Sequence, residues 1–180
     1  MPTTETTAPP QKWTVSSQVT IAGLVVGALL GQVGGALGVG TAQTFLFAVS
    51  SVGLTIGAIL LALRHLDRRE PLVAGGFAIL AVAEMMVWTG GTPQQGSEVS
   101  FAAATLYYVP ALLLISLPVG LPRWSRAFGV LAAVPFGLHA FLFLLGREPS
   151  SQGVPAIAGY ILLTIAVVGW IVSVIRSPGE

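Results

Sequence analysis

The sequence predicts an all-α membrane protein, a bundle of six transmembrane helices with both termini in the cytoplasm. Hydrophobic residues make up 54% of its 180 positions and charged residues 8%, whereas soluble domains carry about 25% charged residues. Six apolar runs, each about 20 residues long, are long enough to span a bilayer. The basic residues gather in the turns at one side of these runs, which indicates how the bundle is oriented.

The apolar runs divide the chain into a tail, a membrane domain and a short second tail. Residues 1–18 are polar and rich in threonine and proline, so we expect a disordered cytoplasmic tail. A cleaved signal peptide is disfavoured, because the first apolar run is long enough to span. Residues 19–176 form the six-helix domain, and residues 177–180 form a cytoplasmic tail. The expected helices cover about 19–38, 43–63, 71–89, 101–119, 127–145 and 154–175.

The basic residues predict the orientation. With the N-terminus inside, seven of the eight Lys and Arg residues face the cytoplasm and only Arg147 lies outside. This bias is typical of integral, multi-pass proteins, and we expect a prokaryotic plasma membrane, the cell inner membrane. Adding or removing one span would scramble the bias, so it also supports six helices. The seven inner residues are Lys12, Arg64, Arg68, Arg69, Arg123, Arg126 and Arg176.

Glycines recur every four residues along the first helix, at Gly23, Gly27, Gly31 and Gly35. This spacing predicts a ridge of small residues, a glycine zipper, that lets another helix approach closely. The neighbour is either a helix of the same chain, or one of a second copy or of a larger membrane complex. A helix that slides or lines a pore is the functional alternative.

One acidic residue interrupts the apolar bulk of the chain. Glu84 lies in the third helix, six residues before Gly90 and thus about 9 Å from the outer end of that helix at about 1.5 Å per residue. An ionisable group at this depth is costly and normally faces a partner or a wet cavity. Glu84 is therefore the first candidate site residue.

Polar residues of the other helices lie at nearly the same depth. His139 is the second ionisable candidate, and both residues can titrate when buried. Two prolines within the helices, Pro110 and Pro135, free backbone carbonyls close by. The layer is either a structural network of hydrogen bonds or a cavity open to the outer face. The remaining members of this layer are Gln32, Ser50, Ser51, Tyr107, Tyr108, Tyr160 and Thr164.

Composition excludes several classes of function. A chain without cysteine has no disulfide, thiolate metal site or iron–sulfur cluster. A net charge of +1 offers no basic face for nucleic acid. His65 and His139 lie toward opposite membrane faces, so they cannot ligate one haem. One Glu and one His in the layer fall short of the three ligands of a catalytic zinc site, and we expect neither a metal nor a cofactor.

The partners that the sequence implies begin with the bilayer itself. Five arginines in the inner turns are expected to contact anionic lipid headgroups, namely Arg64, Arg68, Arg69, Arg123 and Arg126. A homo-oligomer or a larger membrane complex would use the glycine ridge.

Three functions remain open. The first is a transporter or binding protein for a small solute or ion, proton-coupled through Glu84 and His139. The second is a non-catalytic accessory subunit of a larger complex, held by the glycine ridge. The third is a membrane-embedded enzyme, for which the sequence supplies neither metal ligands nor the Gly-x-Ser-x-Gly motif of a serine nucleophile.

Overall fold

The computed structural model describes residues 13–37, 40–90, 98–147 and 150–178. All regular secondary structure in these residues is α-helical, and each of the six helices is long and apolar enough to cross a membrane. The predicted all-helical class and the number of helices are confirmed. The helices are α1 (Val15–Ala36), α2 (Thr41–Asp67), α3 (Pro71–Gly90), α4 (Glu98–Ser116), α5 (Arg123–Leu144) and α6 (Val154–Arg176).

The helices stand in a ring in chain order. Each packs on the next one along the chain, and α6 closes the ring on α1 through the least extensive of the six interfaces. Large side chains fill the interior: Trp170 of α6 reaches Phe77 of α3 edge-on, with ring centroids 5.0 Å apart. Lipid tails are themselves apolar, so the transfer of apolar surface from lipid into a helix interface contributes little free energy. Dispersion contacts such as this one are therefore the main attraction between helices in lipid.

The first helix begins earlier than the sequence predicts. Thr14 caps it, because its hydroxyl accepts a hydrogen bond from the backbone N–H of Ser17 at 3.1 Å. Residues 15–18, expected in the disordered tail, are therefore helical. Residues 1–12 of that tail lie outside the described residues.

The second helix runs four residues past its expected end and stops in a Schellman motif. Arg69 adopts a positive φ of 61°, and the N–H of Glu70 donates to the carbonyl of His65 at 2.8 Å. The Glu70 carboxylate also lies 2.5 Å from Nδ1 of His65. This turn, which the sequence marks only by its charged residues, is thus bonded through both backbone and side chains.

The fourth helix ends at Ser116 rather than near Val119. Pro118 disfavours the helical conformation of the residue before it, which stops the helix. The Arg126 guanidinium then donates to the carbonyls of Ser116 at 2.7 Å and Leu117 at 2.8 Å, at the end of the helix. A cation at a helix C-terminus is favourable, so Arg126 fixes the turn between α4 and α5.

The glycine ridge of α1 faces α2 within the same chain. A β-carbon added to Gly23 would lie 2.8 Å from the carbonyl oxygen of Gly53, and one added to Gly27 would lie 2.8 Å from the backbone nitrogen of Leu54. One added to Gly31 would lie 2.9 Å from the hydroxyl of Ser50. Real β-carbons essentially never come so close, so the two backbones approach as only glycine permits.

The last glycine of the predicted ridge departs from this pattern. A β-carbon on Gly35 would meet nothing within 4 Å, whereas one on Gly34 would lie 3.1 Å from the ring of Phe47. The reason is helical geometry: each four-residue step turns about 40° beyond a full turn, so Gly35 lies about 120° around the helix from Gly23. Gly34 lies only about 20° from it and takes that place in the interface.

Candidate functional site

Glu84 is a buried carboxylate held by neutral donors. Its side chain, 2% exposed, projects from α3 into the bundle. The phenol of Tyr108 on α4 donates a hydrogen bond of 2.6 Å to its Oε1, and the hydroxyl of Ser51 on α2 donates a second. Three consecutive helices therefore meet at one carboxyl group, and both hydrogen-bond donors are uncharged.

An aromatic cluster of Phe101, Tyr108, Phe136 and Tyr160 packs beside this carboxylate. The ring of Tyr108 stacks on Phe136 with centroids 4.5 Å apart. Tyr160 of α6 stands edge-on to Phe136 at 5.2 Å, and its hydroxyl lies 3.5 Å from that of Tyr108. The cluster thus fixes the orientation of the phenol that binds Glu84.

His139 lies at another edge of the aromatic cluster. It is fully buried on α5, one turn beyond Phe136, and its ring stands edge-on to Phe101 at a centroid distance of 5.0 Å. The hydrogen bonds of Glu84 run to Tyr108 and Ser51 rather than to this imidazole. The two ionisable candidates therefore border the same aromatic cluster, each through a different ring.

Gln32 joins α1 to α6 at the seam that closes the ring. Its side-chain amide donates to the hydroxyl of Thr164 at 2.7 Å and approaches the carbonyl of Tyr160 at 3.4 Å. Thr164 donates in turn to that same carbonyl at 2.8 Å. Gln32 is exposed, so the seam carries polar groups on the outside of the bundle. The aromatic cluster begins at Tyr160, whose carbonyl Gln32 approaches.

Tyr107 does not join the cluster. Its side chain is 45% exposed, whereas that of Tyr108 is completely buried. Successive residues of a helix point about 100° apart, so depth alone does not show which tyrosine faces inward. Of the five predicted site residues, Tyr108 belongs to the aromatic cluster and Glu84 and His139 border it. Gln32 lies at the seam, and Tyr107 faces outward.

The remaining serine of the layer serves the α1–α2 interface. Ser50 donates a hydrogen bond of 2.6 Å to the carbonyl of Gly27, next to the point where the two backbones approach most closely. Gly23, Gly27 and Gly31 of the ridge are therefore covered by α2, whereas Gly35 is not. The accessory-subunit hypothesis needs the ridge to face a partner, and these three glycines face α2 of the same chain instead.

Sequence reasoning did not identify Phe101 and Phe136 as part of this region. Phe136 lies three residues before His139, so both share one face of α5, a spacing that could have signalled it. Phe101 is the first residue of the expected fourth helix and offered no such signal. The structure shows that the layer is as much aromatic as it is polar.

The described residues contain no group of three histidine or carboxylate side chains that could hold a metal ion. The chemistry that they do support is proton exchange at Glu84 and His139, or binding of a cation by the Glu84 carboxylate with the hydroxyls of Ser51 and Tyr108. No protein family model, no curated protein and no solved structure matches the chain.

Proposed function

We propose that this protein spans the membrane six times with both termini inside, and that it is a proton-linked transporter or binding protein for a small solute or ion. Glu84 is the centre of the proposed site, with Tyr108, His139 and Gln32 around it. The observation that carries the proposal is the buried carboxylate of Glu84, whose hydrogen-bond donors are two neutral hydroxyls.

The physical argument rests on the cost of an isolated charge. An aspartate at the centre of a bilayer costs roughly 2.5–3.5 kcal/mol on insertion scales, and a carboxylate away from the centre costs less. Hydrogen bonds from two neutral hydroxyls offset only part of such a cost. Glu84 is therefore expected to hold either a proton or a cation. A group that can exchange one for the other in a low-dielectric site is a common element of coupled transport.

Access to Glu84 is proposed along the seam between α1 and α6. This interface is the least extensive in the ring, and Gln32 and Thr164 bring polar groups to it. Tyr160 continues inward from the seam to the hydroxyl of Tyr108. Separation of α1 from α6 would open a polar route to Glu84, whereas in the present conformation Glu84, Tyr108 and His139 are all closed off.

The rival explanation is a purely structural layer, in which hydrogen bonds satisfy buried polar groups and nothing is bound or moved. It predicts that Glu84→Gln, which keeps an oxygen to accept from Tyr108, changes stability alone. The transport proposal predicts instead that proton movement is lost although the protein remains folded.

Proton flux in proteoliposomes tests the two explanations. The purified protein is reconstituted around a pH-sensitive dye, with the membrane potential clamped, and gradients of Na⁺, K⁺, amino acids, sugars and organic acids are imposed in turn. We expect at least one gradient to drive proton movement in the wild type, with Glu84→Gln abolishing it and Tyr107→Phe leaving it unchanged. Equal fluxes in the wild type and Glu84→Gln for every solute would contradict the proposal.

A further inference from the structure

A second site lies at the opposite end of the bundle from Gln32, where the basic residues gather. A pocket of about 260 Å³ opens between the end of α2, the turn before α5 and the end of α6. We propose that this pocket binds the phosphate group of an anionic phospholipid. Its lining residues are Arg68, Gly120, Pro122, Ser173, Arg176 and Ser177.

Charge and hydrogen-bonding groups match a phosphate. Two arginines, Arg68 and Arg176, line the pocket together with two serines, and none of the described residues that line it is acidic. Guanidinium groups bind phosphate oxygens through paired, charge-assisted hydrogen bonds, and hydroxyls can donate to the remaining oxygens. Glu70, an acid close to the pocket, is itself bonded to His65 at 2.5 Å.

Contacts with the rest of the bundle hold one wall of the pocket in place. The Arg64 guanidinium donates to the carbonyl of Ser177, and the hydroxyl of Ser17 donates to the carbonyl of Pro178 at 2.6 Å. The end of α6 is thereby attached to both α1 and α2. A wall fixed before binding lowers the entropy lost when a ligand is bound.

An apolar groove adjoins the pocket and indicates a lipid rather than a soluble phosphate. It has a volume of about 470 Å³ and shares Gly120 with the basic pocket. Two of its lining side chains are strongly exposed, Leu72 at 63% and Val119 at 86%, as expected for surface that meets an acyl chain. The remaining lining residues are Glu70, Pro71, Val73 and Pro118.

The volume of the basic pocket also favours a lipid phosphate over a soluble metabolite. The basic pocket alone is smaller than the roughly 300–1,000 Å³ of sites that enclose a whole drug-sized ligand, so it suits one anionic group better than a complete metabolite. The groove beside it extends the site for an apolar chain. This inference does not involve Glu84, so it stands or fails independently of the proposed transport function.

Native mass spectrometry of the full-length protein in neutral detergent tests the lipid site. Phosphatidylglycerol and phosphatidylcholine are titrated separately, and inorganic phosphate is added as a competitor. We expect one phosphatidylglycerol molecule to bind at low concentration, at least tenfold more tightly than phosphatidylcholine. Arg176→Gln and Arg68→Gln should each weaken this binding at least tenfold. Arg176 is exposed, so its replacement leaves the core packing intact.

Two variants control for charge and for the apolar groove. Arg147→Gln removes an exposed arginine that does not line the pocket and is not one of the five arginines of the inner turns, and it should change affinity less than twofold. Val119→Asn should weaken lipid binding because it makes the groove polar. An equal loss with Arg147→Gln would overturn the site in favour of diffuse attraction. Full competition by millimolar inorganic phosphate, with Val119→Asn unaffected, would overturn the lipid assignment in favour of a soluble phosphate.

Discussion

The phenol of Tyr108 donates a 2.6 Å hydrogen bond to the buried carboxylate of Glu84, and this contact joins α4 to α3 in the polar layer. The same phenol ring stacks on Phe136 of α5. One tyrosine therefore connects an ionisable group to the aromatic packing of the bundle, so movement of the surrounding helices would alter the environment of the carboxylate.

Replacing Tyr108 with Phe should destabilise the protein while keeping the aromatic stack. Hydrogen bonds to charged groups contribute about 1.5–3 kcal/mol and neutral ones about 0.5–1.5 kcal/mol. The free energy of unfolding is measured in sodium dodecyl sulfate. A loss of about 1.5–3 kcal/mol would indicate that Glu84 is ionised, whereas a loss of about 0.5–1.5 kcal/mol would indicate that Glu84 is protonated. Tyr107→Phe is the matched control and should be neutral. Equal losses for the two variants would contradict the assigned bond.

Replacing Gly27 with Ala should destabilise the α1–α2 interface. The new methyl group would lie 2.8 Å from the backbone nitrogen of Leu54, and overpacking of this kind typically costs about 1–3 kcal/mol. Gly35→Ala is the control on the same helix, because a methyl group there meets nothing within 4 Å; it should be neutral or slightly stabilising. The free energy of unfolding of both variants is the measurement that tests this prediction. An equal cost at both positions would show that the ridge has no packing role.

The proposed orientation can be tested at the two ends of one helix. Thr41 and Asp67 are the first and last residues of α2, and both are exposed. Because the chain contains no cysteine, single cysteines at these positions give an unambiguous signal. In intact cells an impermeant thiol reagent should label Thr41→Cys and not Asp67→Cys. The reverse pattern would invert the orientation, and labelling of neither or of both would not fit a spanning α2.

Glu84 and His139 should be energetically coupled if they belong to one site. Both border the aromatic cluster, Glu84 through Tyr108 and His139 through Phe101, so each replacement should disturb the environment of the other. In a double-mutant cycle of Glu84→Gln and His139→Gln, we expect a coupling energy of at least about 0.5 kcal/mol. Additive losses would indicate two independent residues and would remove His139 from the proposed site.

The sequence predicts the level of the polar side chains along the helices better than their partners. The length and apolar character of six runs determine the helices, and the number of residues from a helix end gives the level of Glu84, Tyr108 and His139. Depth does not determine how each helix is rotated about its axis. For that reason the sequence could not distinguish Tyr107 from Tyr108.

Helix rotation also limits how far the partners of Glu84 can be predicted. The sequence favours a coupling between Glu84 and His139, directly or through a water, because they are the two titratable groups at one level. In the structure Glu84 accepts hydrogen bonds from hydroxyls on α2 and α4, the helices on either side of α3 in the ring. The order of the helices in the ring depends on tertiary packing. In the sequence, only the glycines that bring α1 onto α2 indicate which helices are neighbours.

Infrared difference spectroscopy tests the central claim, that Glu84 takes up and releases a proton at membrane depth. Spectra of the reconstituted protein are recorded across a pH titration and compared with those of Glu84→Gln. We predict a carbonyl band of a protonated carboxylic acid in an apolar environment that disappears as the pH is raised and is missing from Glu84→Gln. Wild-type and Glu84→Gln spectra that are identical in this region at every pH would contradict the account.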